Sequence, residues 1–428
     1  MPMLTTRHPK DIHEVALTDC QISLEEFIAV VRYDAKVILG KDYIDRVNAS
    51  RKALERRVAE GAPIYGVNTG FGDNVRYKIS EEDLEQMQVN ILRSHACSVG
   101  EPLTREKVRA IQLMMLISNG MGYSAIRIEP LRLLCDMMNC GIVPYAPGDG
   151  SLGGLTVEPH IALTLIGEGR VVENGKIIPA MDVLNKHDLK PVKLKCKEGL
   201  SLIAGTSQIT AFAAIAVYDY IQALRMADIT SAIVFEALCG TDRSLLDAVH
   251  RLKNHKEQIE TAAFLRKLLA GSEILEKSRD LHVQDCTALR LIPHVHGAAK
   301  RIAGHAYGAI MEELHAVSDN PIVYPNGEVY MGAGFDATLI GTQCDCMVVG
   351  AVAIAKLLEA FMERLVNAKL SGLPPFLIKN PGVNSGFMIV QYVSAGLQSD
   401  ISLMSIPASS DTVTSSADQE NPASMAYT

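Results

Sequence analysis

The pattern of apolar and polar positions reads as helix over most of this chain. Residues 22 to 60 predict two helices. The first is opened by a capping box of Ser23 with Glu26, and the second, Asp42 to Val58, keeps its charges on one face. A third is expected from Ser80, whose hydroxyl would cap it ahead of Glu81, Glu82 and Asp83, to His95. Further helices are expected at 104–120, 127–140 and 155–167, the last tolerating Pro159 in its early turns. A small hairpin is expected at 170–178, turning at Glu173-Asn174-Gly175-Lys176.

Beyond residue 197 the helical patterns lengthen to 198–240, 243–254, 287–317 and 337–370, several of them apolar nearly all round. Such helices must be buried on every side, which implies a thick bundle completed by other subunits. A strand pair, Ile322 to Tyr324 with Glu328 to Met331, lies among the turn formers Ser318-Asp319-Asn320-Pro321 and Pro325-Asn326-Gly327. Residues 415–428 enter another helical pattern. The expected fold is therefore mainly α, a long central helical bundle with a smaller N-terminal lobe. Residues 1–197 would form the lobe and 198–428 the bundle, with its C-terminal part truncated.

Composition narrows the function classes. A chain of 428 residues, 48% hydrophobic and 21% charged, has ample material for a core. Its net charge of -8, with no basic tract, gives no electrostatic footprint for nucleic acid. The start lacks the apolar run of a secretory signal, and the most apolar stretch, Leu200 to Leu224, is interrupted by polar residues as in a core helix. A cytoplasmic protein without a membrane span is the expectation. The 9 cysteines fit reduced thiols, and Cys344-Asp345-Cys346 lacks the further ligands of a metal site.

Two loops carry candidate chemistry. Ile64-Tyr65-Gly66-Val67-Asn68-Thr69-Gly70-Phe71-Gly72 combines glycines with hydrogen-bonding side chains, as a shaped loop does. Gly141 to Gly154 is dense in turn formers and feeds a helix N-terminus, an anion-friendly arrangement.

These loops belong to an ordered series: Tyr65 to Gly72, Ser94-His95-Ala96, Gly150-Ser151-Leu152-Gly153, Glu198-Gly199-Leu200, Val283-Gln284-Asp285, Leu289-Arg290, Ser318-Asp319-Asn320-Pro321 and Gln419-Glu420. In order and rough spacing the series resembles the aromatic amino-acid ammonia-lyase family, and histidine ammonia-lyase-like members in particular. The resemblance implies a homotetrameric, cytoplasmic helical enzyme that eliminates ammonia from L-histidine or a related amino acid to give an α,β-unsaturated acid. It implies an electrophile, a methylidene-imidazolone ring cyclised from an internal tripeptide, because expelling ammonia while removing a weakly acidic β-proton needs both an electrophile and a base. Tyr65 would be the base and Arg290 would hold the substrate carboxylate with its planar fork. Phe335 would line the site beside the electrophile, and His95, Gln284 and Glu420 would bind substrate, His95 and Glu420 at its polar ring. Taken singly, each has a plainer reading: a packed loop aromatic, a surface cation, a core histidine or phenylalanine, a capping acid.

The chain departs from that family where the electrophile should be. Gly150-Ser151-Leu152-Gly153 runs directly into Gly154-Leu155-Thr156-Val157-Glu158-Pro159-His160, a shortfall matching one tripeptide between Gly153 and Gly154. Either the tripeptide is present in the protein as a cyclised residue missing from the written sequence, or the chain lacks it and cannot use this chemistry. Ala204 stands where the family carries Asn, Thr287 where it carries a second Tyr, and Gly334 where it carries Asn. An aminomutase on the same scaffold, or a non-catalytic homologue acting as scaffold or partner subunit, are the rival readings. The unrelated fumarase-type helical lyases would need a serine-bearing glycine loop late in the chain, which has no convincing counterpart here.

Overall fold

The computed structural model describes residues 7–427. The protein is 59% helical, and its strands form five separate two-stranded sheets among the described residues. Contacts divide the chain into two compact units. One gathers Ala216–Gly308 with Gln343–Pro407; the other gathers the described residues up to Ile215 with Ala309–Thr342 and those from Ala408 on.

The unit that begins the chain is built from short helices. Leu24–Tyr33 opens with the expected capping box, in which Ser23 Oγ accepts from the Glu26 amide and the Glu26 carboxylate accepts from the Ser23 amide. Lys41–Ala59, Arg105–Gly120 and Ile128–Asn139 follow where the pattern placed them, and Arg170–Glu173 pairs with Lys176–Pro179 as a hairpin. Arg105–Gly120 is buried over its last 13 residues. A helix so enclosed has no room for charge, and its one interior cation, Arg109, donates to the carbonyl oxygens of Val30 and Met138.

Several expectations are corrected. The Leu84–His95 helix is not capped by Ser80: the acids after it wind into a 3-10 turn, Glu81–Asp83, and the Ser80 hydroxyl donates to Asp83 instead. The expected 155–167 helix forms only from Glu158 to Leu165, because Leu155 is held at φ 68°, a left-handed value that no helix accepts. The 198–240 run is broken into Glu198–Ile203 and Ser207–Ala237. At the break Gly205 has φ 101°, and a side chain there would meet Ser318 Oγ at 2.4 Å. The last residues form an antiparallel pair, Thr412–Ser415 with Glu420–Ser424. Ser416, Ala417 and Asp418 all have positive φ at the turn, and Pro422 has no amide hydrogen for a helix.

Glu198–Ile203 is buried at all six positions and is fixed by charge. Glu198 accepts from the Arg127 guanidinium at 2.6 and 2.9 Å and from the Lys195 amide at 2.7 Å. Lys197, wholly buried, holds Asp319 at 2.6 Å and Ser201 Oγ at 3.1 Å. Burial lowers the Lys197 pKa, and the Asp319 charge opposes that shift.

The other unit holds most of the long helices' lengths. Its core gathers Phe235, Leu245, Leu265, Leu289, Ile292, Leu357 and Phe361. A buried polar set runs through it, in which Lys300 and His296 share the two oxygens of Asp228 at 2.6 and 2.8 Å. Within Glu198–Ala237 the most apolar window has mean hydropathy 1.7 and is 78% buried, the burial of a core helix.

Removing one partner of the Lys197–Asp319 pair strands a buried charge. Asp319→Ala is expected to lower unfolding free energy by about 3–5 kcal/mol. Lys197→Met combined with Asp319→Leu should recover most of it, and denaturant titration of the three proteins checks both.

Candidate active site

Three side chains that lie far apart in sequence meet at one cavity of about 1080 Å³ in the unit that begins the chain. Tyr65, His95 and Glu420 all line it, with Leu155, Leu200 and Phe71. Each is placed by a different local device.

Tyr65 sits on the glycine loop. Asn68 braces that loop, its Oδ1 accepting from the Ile64 amide at 2.7 Å and its Nδ2 donating to the Ala62 carbonyl at 2.8 Å. Gly66 has φ 64°, and a side chain there would strike Leu200 at 2.5 Å and Phe71 at 2.8 Å. The Tyr65 ring stands edge-on to Phe71, and its Oη accepts from the Gly72 amide at 3.0 Å. Gln88, fully buried, ties this loop to the neighbouring elements: its Nε2 donates to the Gly66 carbonyl and its Oε1 accepts from the Leu200 amide, both at 3.1 Å. Nothing in the sequence singled out Gln88, since a polar residue within a helical pattern reads as surface.

His95 ends the Leu84–His95 helix, where Ser94 Oγ lies 3.0 Å from its Nδ1. Burial lowers its pKa while the Glu420 charge pulls it up, so the ring is neutral at pH 7. Glu420 begins the last strand, paired opposite Ser415. Burial raises the Tyr65 pKa and Glu420 raises it further, against the Gly72 amide that lowers it. At rest this phenol therefore holds its proton.

The glycine junction packs against the break in the 198–240 run. A side chain on Gly154 would meet the Gly205 carbonyl oxygen at 2.7 Å, beside Ala204. Gly153 is held by its amide donating to Ser151 Oγ at 3.1 Å, and Ser151 in turn donates to Gln208 Oε1 at 2.5 Å. Around the junction several buried polar atoms have no hydrogen-bond partner: Thr156 Oγ1, Glu158 Oε2, His160 Nε2, Gln208 Nε2 and Thr210 Oγ1. Each costs about 1–3 kcal/mol when left so, which is unusual in concentration. Glu158 is 1% exposed, and burial pushes its carboxyl up to about 7 against the backbone amides that favour its charge. An acid heading a helix reads in sequence as a solvent-facing dipole partner, and for that reason Glu158 was not among the expected site residues.

The remaining expected residues are not brought to this cavity wall. Phe335 is 43% exposed, in the turn before Thr338–Val366. Arg290 and Gln284 belong to the unit of Ala216–Gly308. There Arg290 donates to the Asp285 carbonyl at 3.0 Å, and Gln284 is exposed. No group of His, Cys, Asp and Glu that could hold a metal ion occurs among the described residues.

The chain is similar to known proteins along nearly its whole length. The family model for aromatic amino acid lyases matches residues 22–428. A histidine ammonia-lyase of Treponema denticola is 39% identical over 422 residues, 97% of this chain and 83% of its own. Among solved structures, a tyrosine aminomutase from Streptomyces globisporus aligns with TM-score 0.92 at 31% identity, covering 96% of this chain and 82% of its own. A histidine ammonia-lyase from Trypanosoma cruzi aligns with TM-score 0.89 at 34% identity, covering 96% and 79%.

Glu158 makes stability depend on pH in a defined sense. Its folded pKa, about 7, lies above the ordinary 4.5, so the native state binds more protons and stability falls as pH rises between those values. Above both values the penalty is complete. Glu158→Gln should gain on the unaltered protein by about 3 kcal/mol between pH 4.5 and pH 8. Urea unfolding at a series of pH values measures it, and parallel curves would refute the assignment.

Proposed function

Because the chain belongs to the aromatic amino acid lyase family, a family of carbon–nitrogen lyases, we propose that it eliminates ammonia from L-histidine or a related amino acid to give an α,β-unsaturated acid. The observation that carries this reading is the convergence of Tyr65, His95 and Glu420 on one cavity.

The roles follow from charge and hydrogen-bonding capacity. Neutral His95 and the Glu420 carboxylate offer, respectively, a donor–acceptor and an acceptor to a substrate ring that has both an N–H and a lone pair, which an imidazole does. Tyr65 takes the β-proton, for which it must first lose its own. Arg290 holds the substrate carboxylate, and Gln284 and Phe335 complete the binding surface. Gly153, Gly154, Leu155 and Ala204 frame the electrophile.

That electrophile would be a methylidene-imidazolone, which would supply an electron sink that makes ammonia a better leaving group. The residues around the Gly153–Gly154 junction fit such a group, since partnerless polar atoms there await donors and acceptors that the chain does not supply. The left-handed Leu155 is also consistent with a junction too short for its surroundings. One observation favours a second reading: Gly153 is followed directly by Gly154, so no serine stands there to cyclise. Without the tripeptide the protein is a non-catalytic homologue that keeps the cavity as a binding site. Structural kinship with a tyrosine aminomutase keeps isomerisation in view as the variant activity.

We further propose that the protein is cytoplasmic and works as a homotetramer. The Met388–Leu403 helix has no buried residue, and Ile389, Tyr392, Val393 and Leu397 stand exposed on it. An apolar helix of this kind needs a partner surface, and further copies of the chain supply one.

Intact-mass measurement decides between the readings. A mass above that of the 428 residues by one dehydrated tripeptide, with ring absorbance in the near ultraviolet and ammonia released from L-histidine, is the expected result. A mass matching the sequence alone, with no ammonia, overturns the lyase and leaves the binding protein. In the active protein, Glu420→Gln should lower kcat/KM for histidine by about 10–100-fold, the worth of one charged hydrogen bond to substrate.

A further inference from the structure

The neighbours of the His95 ring say which of its nitrogens carries the hydrogen. Ser94 Oγ lies 3.2 Å from the Ile91 carbonyl oxygen and 3.0 Å from His95 Nδ1. A hydroxyl has one hydrogen to give, and a carbonyl oxygen can only accept. Both bonds close only if Ser94 donates to Ile91 and accepts from an Nδ1–H. The Ile91 carbonyl acts in the same sense, since it too favours a proton on the ring. Burial keeps the ring neutral at pH 7, so it carries a single proton, and that proton is on Nδ1. Nε2 is left as a lone pair, with no hydrogen-bond partner among the described residues.

The second polar group for a ligand ring is also an acceptor. Ser94, His95 and Glu420 all line the cavity, and Glu420 is near enough for its charge to act on His95. Among the described residues, the Glu420 carboxylate accepts a side-chain hydrogen bond from Ser415 Oγ alone, at 3.4 Å to Oε2. A ring held between His95 and Glu420 thus meets two acceptors, one neutral and one charged. A neutral imidazole has one N–H, so its lone pair would oppose one of them, whereas an imidazolium has an N–H for each. We infer that His95 and Glu420 select the cationic form of the ring, an imidazolium, which gives one N–H to His95 Nε2 and the other to the Glu420 carboxylate. This rests on the imidazole reading of the cavity given above, and deepens it by naming the charge state that is bound. The other titratable groups on the wall are Tyr65, Asp73, Lys78 and Asp83, while Arg93 on the His95 helix is taken up by Glu168. A ring held as a cation also draws electrons from the β-carbon it is attached to, which favours loss of the β-proton in the proposed elimination.

4-Methylimidazole tests this, because it is the ring without the charges of the amino-acid arm. Binding raises the pKa of a ring that is held as a cation, so the complex takes up a proton and affinity is lost as pH rises above the free ring's pKa. Titration calorimetry on the intact protein should show at least a tenfold loss between about pH 8 and about pH 9.5, with uptake of about one proton per ring bound. His95→Gln should reduce that loss to below about threefold, because an amide can turn its N–H to the lone pair of a neutral ring. 1,3-Dimethylimidazolium carries the charge at every pH but has no N–H, and should bind at least tenfold more weakly than 4-methylimidazole at about pH 7.5. Affinity for 4-methylimidazole that does not change with pH would mean that the neutral ring is bound, and overturns the inference alone. So does a pH dependence that survives His95→Gln, or equal binding of the dimethyl cation, which would mean that the negative wall by itself draws a cation. If 4-methylimidazole does not bind the unaltered protein at any pH, the imidazole reading itself fails, and the inference with it. Should His95→Gln not fold, the pH dependence of the unaltered protein and the dimethyl cation carry the decision.

Discussion

The short helix Glu198–Ile203 is the element on which the cavity depends, and charge holds it in place. Its first residue is a buried carboxylate clasped by Arg127, and the residue before it is a buried lysine clasped by Asp319. Such pairs add little net stability, since desolvation offsets much of their attraction, but they exclude other arrangements because every misplacement strands a charge. What they exclude matters here. They fix Leu200 against Gly66, the Leu200 amide against Gln88, and the Gly205 carbonyl beside Gly154. Gln88 then carries the constraint to the tyrosine loop, and its own helix ends at His95. One anchored turn of helix thus sets the relation of Tyr65, His95 and the junction.

Much of the local structure was legible because its causes are local. Ser23 with Glu26 predicts a capping box, and the box is there, since both hydrogen bonds close within four residues. The break at Ala204-Gly205-Thr206 was not legible, because apolar periodicity continues on both sides of it. What breaks the helix is distant: Ser318 Oγ accepts from the Thr206 amide at 3.2 Å and crowds Gly205. The terminal hairpin was missed for a related reason. Ser416 and Ala417 have no intrinsic liking for left-handed backbone, so pairing of the flanking strands imposes it. Of the site, Tyr65, His95 and Glu420 were legible only as members of an ordered series of motifs. No one of them carries a local signature, and three unrelated elements bring them together. Glu158 was hidden by its position, since an acid at a helix start looks the same in sequence whether water or protein surrounds it.

The electrostatics of the cavity bear on how a tyrosine could act as a base there. Burial and the Glu420 charge both hold the Tyr65 proton on, and only the Gly72 amide works against them. The wall carries Asp73, Asp83 and Glu420 as carboxylates, of which Asp73 is paired with Arg76 at 2.6 Å, and Lys78 is the lysine that lines it. A cavity of that sign favours a cationic guest over an anionic one. An amino acid brings an ammonium with it, and its arrival supplies the positive charge that the walls lack. For the proposed role of Tyr65 as base, a positive charge brought beside the phenol would make its proton easier to lose. A deaminated product carries no such charge, so the phenol recovers its proton affinity and the anionic product meets like charge. The surplus that draws the amino acid in thereby also favours release of the acid left after ammonia departs.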